Sequence, residues 1–358
     1  MGRTGFVSRR IVLSKGKFVR FPLALNENPY GPLPSVHQAL TTALGAVNRY
    51  PEFLPNRLPQ LIAARIGCLP DQIVVGAGAT GVIMHILQAF VASAGESLQW
   101  RRLGAAQVVL AEPTFDGYPL LTAMVGGQPV RVPLMADGTQ DLDAMAAVVA
   151  EHTKLVVLCN PHNPTGTQLR YFDLIRFLDR LHPRVAVIID EAYIEFVPAD
   201  QRIDTMSILA LYSNVIVVRT FSKAFGLAGL RVGYAVASRR TAARIAHWQV
   251  PFGMHMLAEV GVYACYKAED ELNERISMIT SERDRLLIEL RALGYTIPGS
   301  SSNHIFLPLV DLAQARCIAD AFDRAQINVK RYSTGMRITV GDSAANDTVI
   351  ASLASAIS

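Results

Sequence analysis

The stretch Thr220-Phe-Ser222-Lys223-Ala-Phe-Gly-Leu-Ala-Gly-Leu-Arg231 gathers two hydroxyls, one amine and one guanidinium, and no Asp or Glu lies between Val215 and Tyr234 to neutralise Lys223. An amine among small and apolar neighbours, near a second cation, loses basicity and becomes a nucleophile toward carbonyl carbon. The hydroxyls and Arg231 suit a phosphate. The competing reading is a solvated surface lysine.

Other segments carry complementary chemistry. Asp190 follows the apolar run Val185-Ala-Val-Ile-Ile189, where a carboxylate is costly unless it meets a cation such as a protonated ring nitrogen. Capping of a following helix is the alternative. Asn160-Pro-His-Asn163-Pro-Thr-Gly166 offers an amide donor for a phenolate oxygen, or only turn chemistry. Gly76-Ala-Gly78-Ala-Thr-Gly81 has the spacing of a dinucleotide loop. Glu112, the acid that would hold a ribose, lies farther along the chain than the usual ~20 residues. A single phosphate at a helix N-terminus and a bare tight turn are the other readings of this loop.

These groups need a scaffold that brings strand ends together. Apolar runs at Ile73–Val75, Gln107–Ala111, Pro129–Pro133, Leu155–Cys159, Val185–Ile189, Val215–Arg219 and Val232–Val236 alternate with helical patterns. That order predicts a three-layer, doubly wound α/β domain with a mainly parallel sheet, which binds ligands at the carboxyl ends of its strands. One of the helices is expected over Leu169–Leu181, with Phe172, Ile175, Leu178 and Leu181 as its buried stripe. A smaller C-terminal α/β domain begins near Pro251 with a long helix, Glu269–Leu293, ending before Gly294. The expected division is a basic arm over 1–30, a large domain over 31–248 and a small domain over 249–358.

Composition excludes several classes. The chain has 358 residues, 51 % hydrophobic and 18 % charged, too apolar for a disordered chain. The net charge of +4 comes from Arg3, Arg9, Arg10, Lys15, Lys17 and Arg20, leaving 28 basic against 30 acidic residues elsewhere. No basic surface for nucleic acid is expected on such a body. The uncharged run Ile73–Gly95 is Gly-rich at its start and has only Val82–Ala94 as a helix, so no membrane span is expected. Cys68, Cys159, Cys265 and Cys317 are scattered, without metal-ligand spacing, as in a cytoplasmic protein.

GAGATG, NPHNPTG, DEAY, TFSKAFGLAGLRVG and MRITVG, in that order, resemble the fold-type I pyridoxal phosphate aminotransferases. LNENPYGP at 25–32 and RYP at 49–51 resemble the histidinol-phosphate aminotransferase branch, and the likeness runs from about Leu25 onward. The resemblance implies that Lys223 holds pyridoxal 5'-phosphate and moves the proton. It implies that Asp190 pairs with the pyridine nitrogen and that Tyr193 and Asn163 bond the phenolic oxygen. Phe115 would stack on the ring, a Phe where many members have Tyr. Ala79, Thr80, Thr220, Ser222 and Arg231 would form the phosphate cup, and Tyr50 would reach the neighbouring subunit of a homodimer. Arg337 would take the donor's α-carboxylate, with Asn26 and Asn303 nearby.

The resemblance breaks at Val329-Lys330-Arg331-Tyr332, where many histidinol-phosphate enzymes have Val-Arg-Pro. Lys330 then puts a point charge in place of a planar fork on the substrate phosphate, beside Arg331. The implied activity is transamination of histidinol phosphate with 2-oxoglutarate. An aromatic amino donor, a decarboxylase or an oxidase on the same fold are alternatives. A non-catalytic binding module is the reading from another class.

Overall fold

The structure is a computed structural model that describes residues 19–92 and 105–357. The expected basic arm up to residue 18 and the end of the Val82–Ala94 helix lie outside the described residues.

Strands form where β-branched runs alternate between two covered faces. The first sheet has seven strands: β2 (Ile73–Ala77), β3 (Gln107–Glu112), β4 (Gln128–Pro133), β5 (Thr153–Cys159), β6 (Ala186–Asp190), β7 (Val215–Thr220) and β8 (Val232–Ala237). Their spatial order is β2-β8-β7-β6-β5-β3-β4. β8 runs antiparallel to both β2 and β7, and the other pairs are parallel. The two-residue period splits the sheet into two buried faces. Val108, Leu110, Val157, Ile188 and Val218 point to one side, while Val109, Val156, Leu158, Val187 and Val217 point to the other. Burying such side chains on both faces contributes about 1.5–3 kcal/mol each, which is why the runs read as continuous apolar segments.

α3 (Gly78–Phe90) and α8 (Arg239–Ala246) cover one face. α6 (Tyr171–Arg180) and α9 (Met256–Lys267) cover the other. Of the stripe expected on α6, Leu178 and Leu181 are buried and Ile175 packs against the core, but Phe172 is corrected: it is 80 % exposed, and Leu174 and Phe177 complete the buried face. A three-residue spacing drifts around a helix of 3.6 residues per turn, so a stripe drawn on it leaves the core face within two turns.

The second sheet has four strands, ordered β1 (Phe21–Leu23), β10 (Ile327–Tyr332), β11 (Gly335–Thr339) and β9 (His304–Pro308). It packs with α10 (Glu269–Ala292), α11 (Leu312–Arg324) and α12 (Ser343–Ser355). α10 ends before Gly294, whose φ of 90° accommodates the chain reversal. Residues 21–30 differ from the expected arm. β1 pairs in parallel with β10, and Leu23 and Asn26 are buried. An open ladder edge and an apolar cleft recruit this segment despite the basic residues before it.

Candidate active site

Four chain reversals meet at the carboxyl ends of β5, β6 and β7 and at the junction of β2 with α3. There they line a cavity of about 330 Å3, within the size range of small-molecule sites. Ala79, Thr80, Phe115, Asn163, Asp190, Tyr193, Thr220, Ser222, Lys223, Arg231, Lys330 and Arg337 all face it.

One end is built for an anion. Ala79 and Thr80 stand in the first turn of α3, where unpaired backbone N–H groups and the helix dipole favour negative charge. Thr220 Oγ1 donates to Ser222 Oγ at 3.0 Å, and Arg231 Nη1 approaches Ser222 Oγ at 3.4 Å and Ala228 O at 2.9 Å. Gly78 has φ +73°, and a Cβ there would sit 2.2 Å from Arg231 Nη2. Gly233 abuts backbone instead of a side chain: its Cβ would meet Ala79 N at 2.3 Å. Both glycines let β8 and the loop close on the same point. Glu112, by contrast, pairs with Arg131 at 3.4 Å outside the cavity lining, so the dinucleotide reading of the loop is set aside.

The other end holds an acid and an amine. Register pairs Cys159 with Asp190 and Asp190 with Val218, which places Asp190 at the carboxyl end of a central strand. Burial pushes Asp190 up to about 6, opposed by hydrogen bonds from Tyr118 Oη and from Ala192 N at 3.0 Å. Lys223 Nζ donates to Leu25 O at 3.0 Å and Asn26 O at 3.1 Å. Burial first, and then the Arg337 charge, bring this amine down to about 7, so it is substantially neutral near physiological pH.

Between them, Tyr193 Oη accepts from Asn26 Nδ2 at 2.9 Å and from Asn163 Nδ2 at 3.3 Å. Arg337, buried on β11, donates to Asn163 Oδ1 at 2.6 Å and to Ala24 O. Its Nε has no hydrogen-bond partner among the described residues, leaving a buried donor for an incoming acceptor.

Three residues expected at the substrate stand elsewhere. Asn26 is buried beneath the cavity, where its left-handed backbone (φ 52°) presents its carbonyl to Lys223. Asn303 Nδ2 donates to that same carbonyl at 3.0 Å and does not reach the cavity lining. Arg331 turns away to Asp323 at 3.3 Å, because successive β10 side chains alternate and its neighbours Lys330 and Tyr332 take the cavity side. Tyr50 is 85 % exposed and packs on Phe252 at 4.9 Å, outside the cavity of its own chain.

Sequence reasoning missed Tyr118, Asp116 and Tyr332. Tyr118 is fully buried, edge-on to Phe115 at 5.5 Å. It lies three residues after Phe115 in the sequence, the one available signal, yet a lone tyrosine opening a helix reads as core. Asp116 forms an ion pair with Lys330 at the cavity, and Tyr332 lines the wall beside them.

Residues 20–353 match the family model described as aminotransferase class I and II. The aromatic amino acid aminotransferase of Streptomyces avermitilis is 39 % identical over 330 residues, covering 92 % of this chain and 88 % of that protein. Its counterpart in Cutibacterium acnes is 37 % identical over 342 residues, 94 % of this chain and 92 % of the relative. The histidinol-phosphate aminotransferase of Sinorhizobium meliloti, solved with pyridoxal-5'-phosphate, superposes with a TM-score of 0.84 at 28 % identity, over 95 % of this chain and 91 % of that one. A match spanning nearly the whole chain, over a cavity that unites an anion cup, a buried acid and a desolvated amine, places this protein among the class I and II aminotransferases.

Proposed function

We propose that the chain transfers the α-amino group of an aromatic L-amino acid to a 2-oxo acid, with pyridoxal 5'-phosphate as cofactor. The residues present fit that group. Thr220, Ser222, Arg231 and the first turn of α3 suit its phosphate, Asp190 its ring nitrogen, and Lys223 its aldehyde carbon. When bound, the cofactor supplies the electron sink that lets the donor's Cα–H bond break. The protein's own residues bind, orient and move the proton. Lys223 Nζ, neutral above about pH 7, accepts and returns it. Asp190 would keep a positive charge on the ring nitrogen favourable, and Phe115, on the cavity wall, would offer the ring an aromatic face. Arg337 takes the α-carboxylate through its planar fork.

The observation that carries the choice of donor is the ion pair between Lys330 and Asp116. Lys330 is the cation expected to meet a substrate phosphate, and Asp116 neutralises it and would repel a dianion. The neighbouring wall is aromatic, with Tyr332 and Phe115, and Arg331 points away. The names of the Streptomyces and Cutibacterium relatives support the same donor. Histidinol phosphate with 2-oxoglutarate is the second reading, favoured by the Sinorhizobium neighbour and by the presence of Lys330. Comparison of kcat/KM for phenylalanine, tyrosine and histidinol phosphate decides between them. The aromatic donors should lead by about tenfold or more, a gap of ~1.4 kcal/mol. A lead for histidinol phosphate overturns the assignment, and Asp116→Ala should narrow the gap by freeing Lys330.

We also infer a homodimer in which Tyr50 serves the neighbouring subunit, and a cytoplasmic location in keeping with four unpaired cysteines. Tyr50, Phe53 and Phe252 form an exposed aromatic cluster, the kind of surface that a second copy covers. Sedimentation should give the mass of two chains, and Phe252→Asp should yield single chains. A single-chain mass for the unaltered protein contradicts the inference.

A further inference from the structure

The polar groups around Tyr193 leave its hydroxyl one direction in which to donate. Arg337 has only donors, so the Asn163 atom at 2.6 Å from Nη1 is the oxygen Oδ1, and Asn163 Nδ2 faces Tyr193 Oη. Thr339 Oγ1 accepts from Asn26 N at 2.9 Å, so its single O–H is free to donate, and it does so to Asn26 Oδ1 at 3.1 Å. The amide of Asn26 stands with Oδ1 toward Thr339 and Nδ2 toward Tyr193. Its Nδ2 gives one hydrogen to Tyr193 Oη at 2.9 Å and the other to His304 Nδ1 at 3.0 Å. With this amide orientation His304 accepts at Nδ1 and is the neutral tautomer with its proton on Nε2, a nitrogen that has no hydrogen-bond partner among the described residues. Burial and the nearby Arg337 and Lys223 charges hold it well below the usual histidine range, in the neutral form this requires.

Two N–H groups, one from Asn26 beneath the cavity and one from Asn163 on its wall, therefore occupy the lone pairs of Tyr193 Oη. Its own hydrogen has the cavity left to point into. All members are buried, and the His304 ring stands edge-on to Tyr193 at 4.9 Å and 76°.

We propose that Asn26, Thr339 and His304 are positioning residues that set the direction of the Tyr193 O–H, so that it donates into the cavity to the anionic oxygen of the bound cofactor ring. Without the acceptor on His304, the Asn26 amide can flip or tilt, Oη gains a free lone pair, and the hydroxyl loses its fixed direction. The anionic oxygen then loses a donor, and the cofactor chromophore keeps its proton to higher pH.

The test uses the cofactor-loaded protein with no amino donor present, so it is independent of which donor the enzyme prefers. The readout is the pH midpoint of the absorbance change of the bound cofactor, measured beside the cofactor dissociation constant. His304→Phe keeps the aromatic packing but removes the acceptor, and Thr339→Val removes the hydroxyl. Each should raise the midpoint by about one pH unit, a tenfold change in the proton equilibrium. His304→Asn, whose Oδ1 can stand where Nδ1 stood, and Thr339→Ser should both keep the midpoint of the unaltered protein. If His304→Phe fails to fold, the Thr339 pair decides alone. An unchanged midpoint in Thr339→Val, or an equal rise in Thr339→Ser, shows that these residues only pack and overturns the proposal.

Discussion

Tyr118 Oη, itself buried, donates a hydrogen bond to the buried carboxylate oxygen Asp190 Oδ2. The acid is thereby held in place and its charged form favoured, against the burial that pushes it up to about 6. Removing the hydroxyl in Tyr118→Phe should push Asp190 higher still, because the lost bond favoured the anion. Less of it is then ionised at pH 7, and the acid limb of the kcat/KM profile should move to higher pH by about one unit. A pH profile identical to that of the unaltered enzyme refutes this role.

Lys223 is brought down to about 7 by burial and by Arg337. The amine reacts only when neutral, so cofactor uptake by the cofactor-free protein should quicken as pH rises, with a midpoint near that value. Borohydride reduction followed by peptide mapping should place the label on Lys223, and Lys223→Ala should carry none. A label on another lysine removes the assignment.

Arg337 is buried, and its Nε has no hydrogen-bond partner among the described residues. Every amino donor carries an α-carboxylate, so Arg337→Ala should lower kcat/KM for all donors alike, by about 2–5 kcal/mol if a buried charge pair is broken. A loss confined to one donor would move Arg337 from the shared carboxylate to the variable side chain.

Gly233→Ala introduces a Cβ 2.3 Å from Ala79 N, a backbone atom that cannot step aside as a side chain would. The variant should lose about 1–3 kcal/mol of stability in urea titration and bind cofactor more weakly, since the same displacement opens the phosphate end. Unchanged stability and affinity would mean that β8 and α3 separate without cost.

Much of the scaffold was legible in the sequence, because the inner strands of the seven-stranded sheet are buried on both faces and read as short apolar runs, while the edge strand β4 buries only Val132. The residues just past those runs, Lys223, Asp190, Asn163 and the turn before Ala79, were legible as well. Chain order places them at strand ends, and strand ends of a parallel sheet converge. Periodicity was a weaker guide at a single helix: Phe172 fits a three-residue stripe and is nevertheless exposed.

Side-chain direction and distant pairing were decided by the tertiary structure alone. Asn26 meets Thr339 across 313 residues, a contact that exists only because β1 adds to the edge of β10. Nothing in the spacing of Asn26 marks it as the residue that orients Tyr193. Lys330 and Arg331 are adjacent cations in the sequence, but the pleat sends one to the cavity and the other to Asp323. Asp116 then cancels the first. A sequence by itself determines which groups are available and which local elements carry them, since those follow from short-range sterics and burial patterns. Which groups face one another, and which charges remain to meet a substrate, depends on how the two sheets close over the cavity.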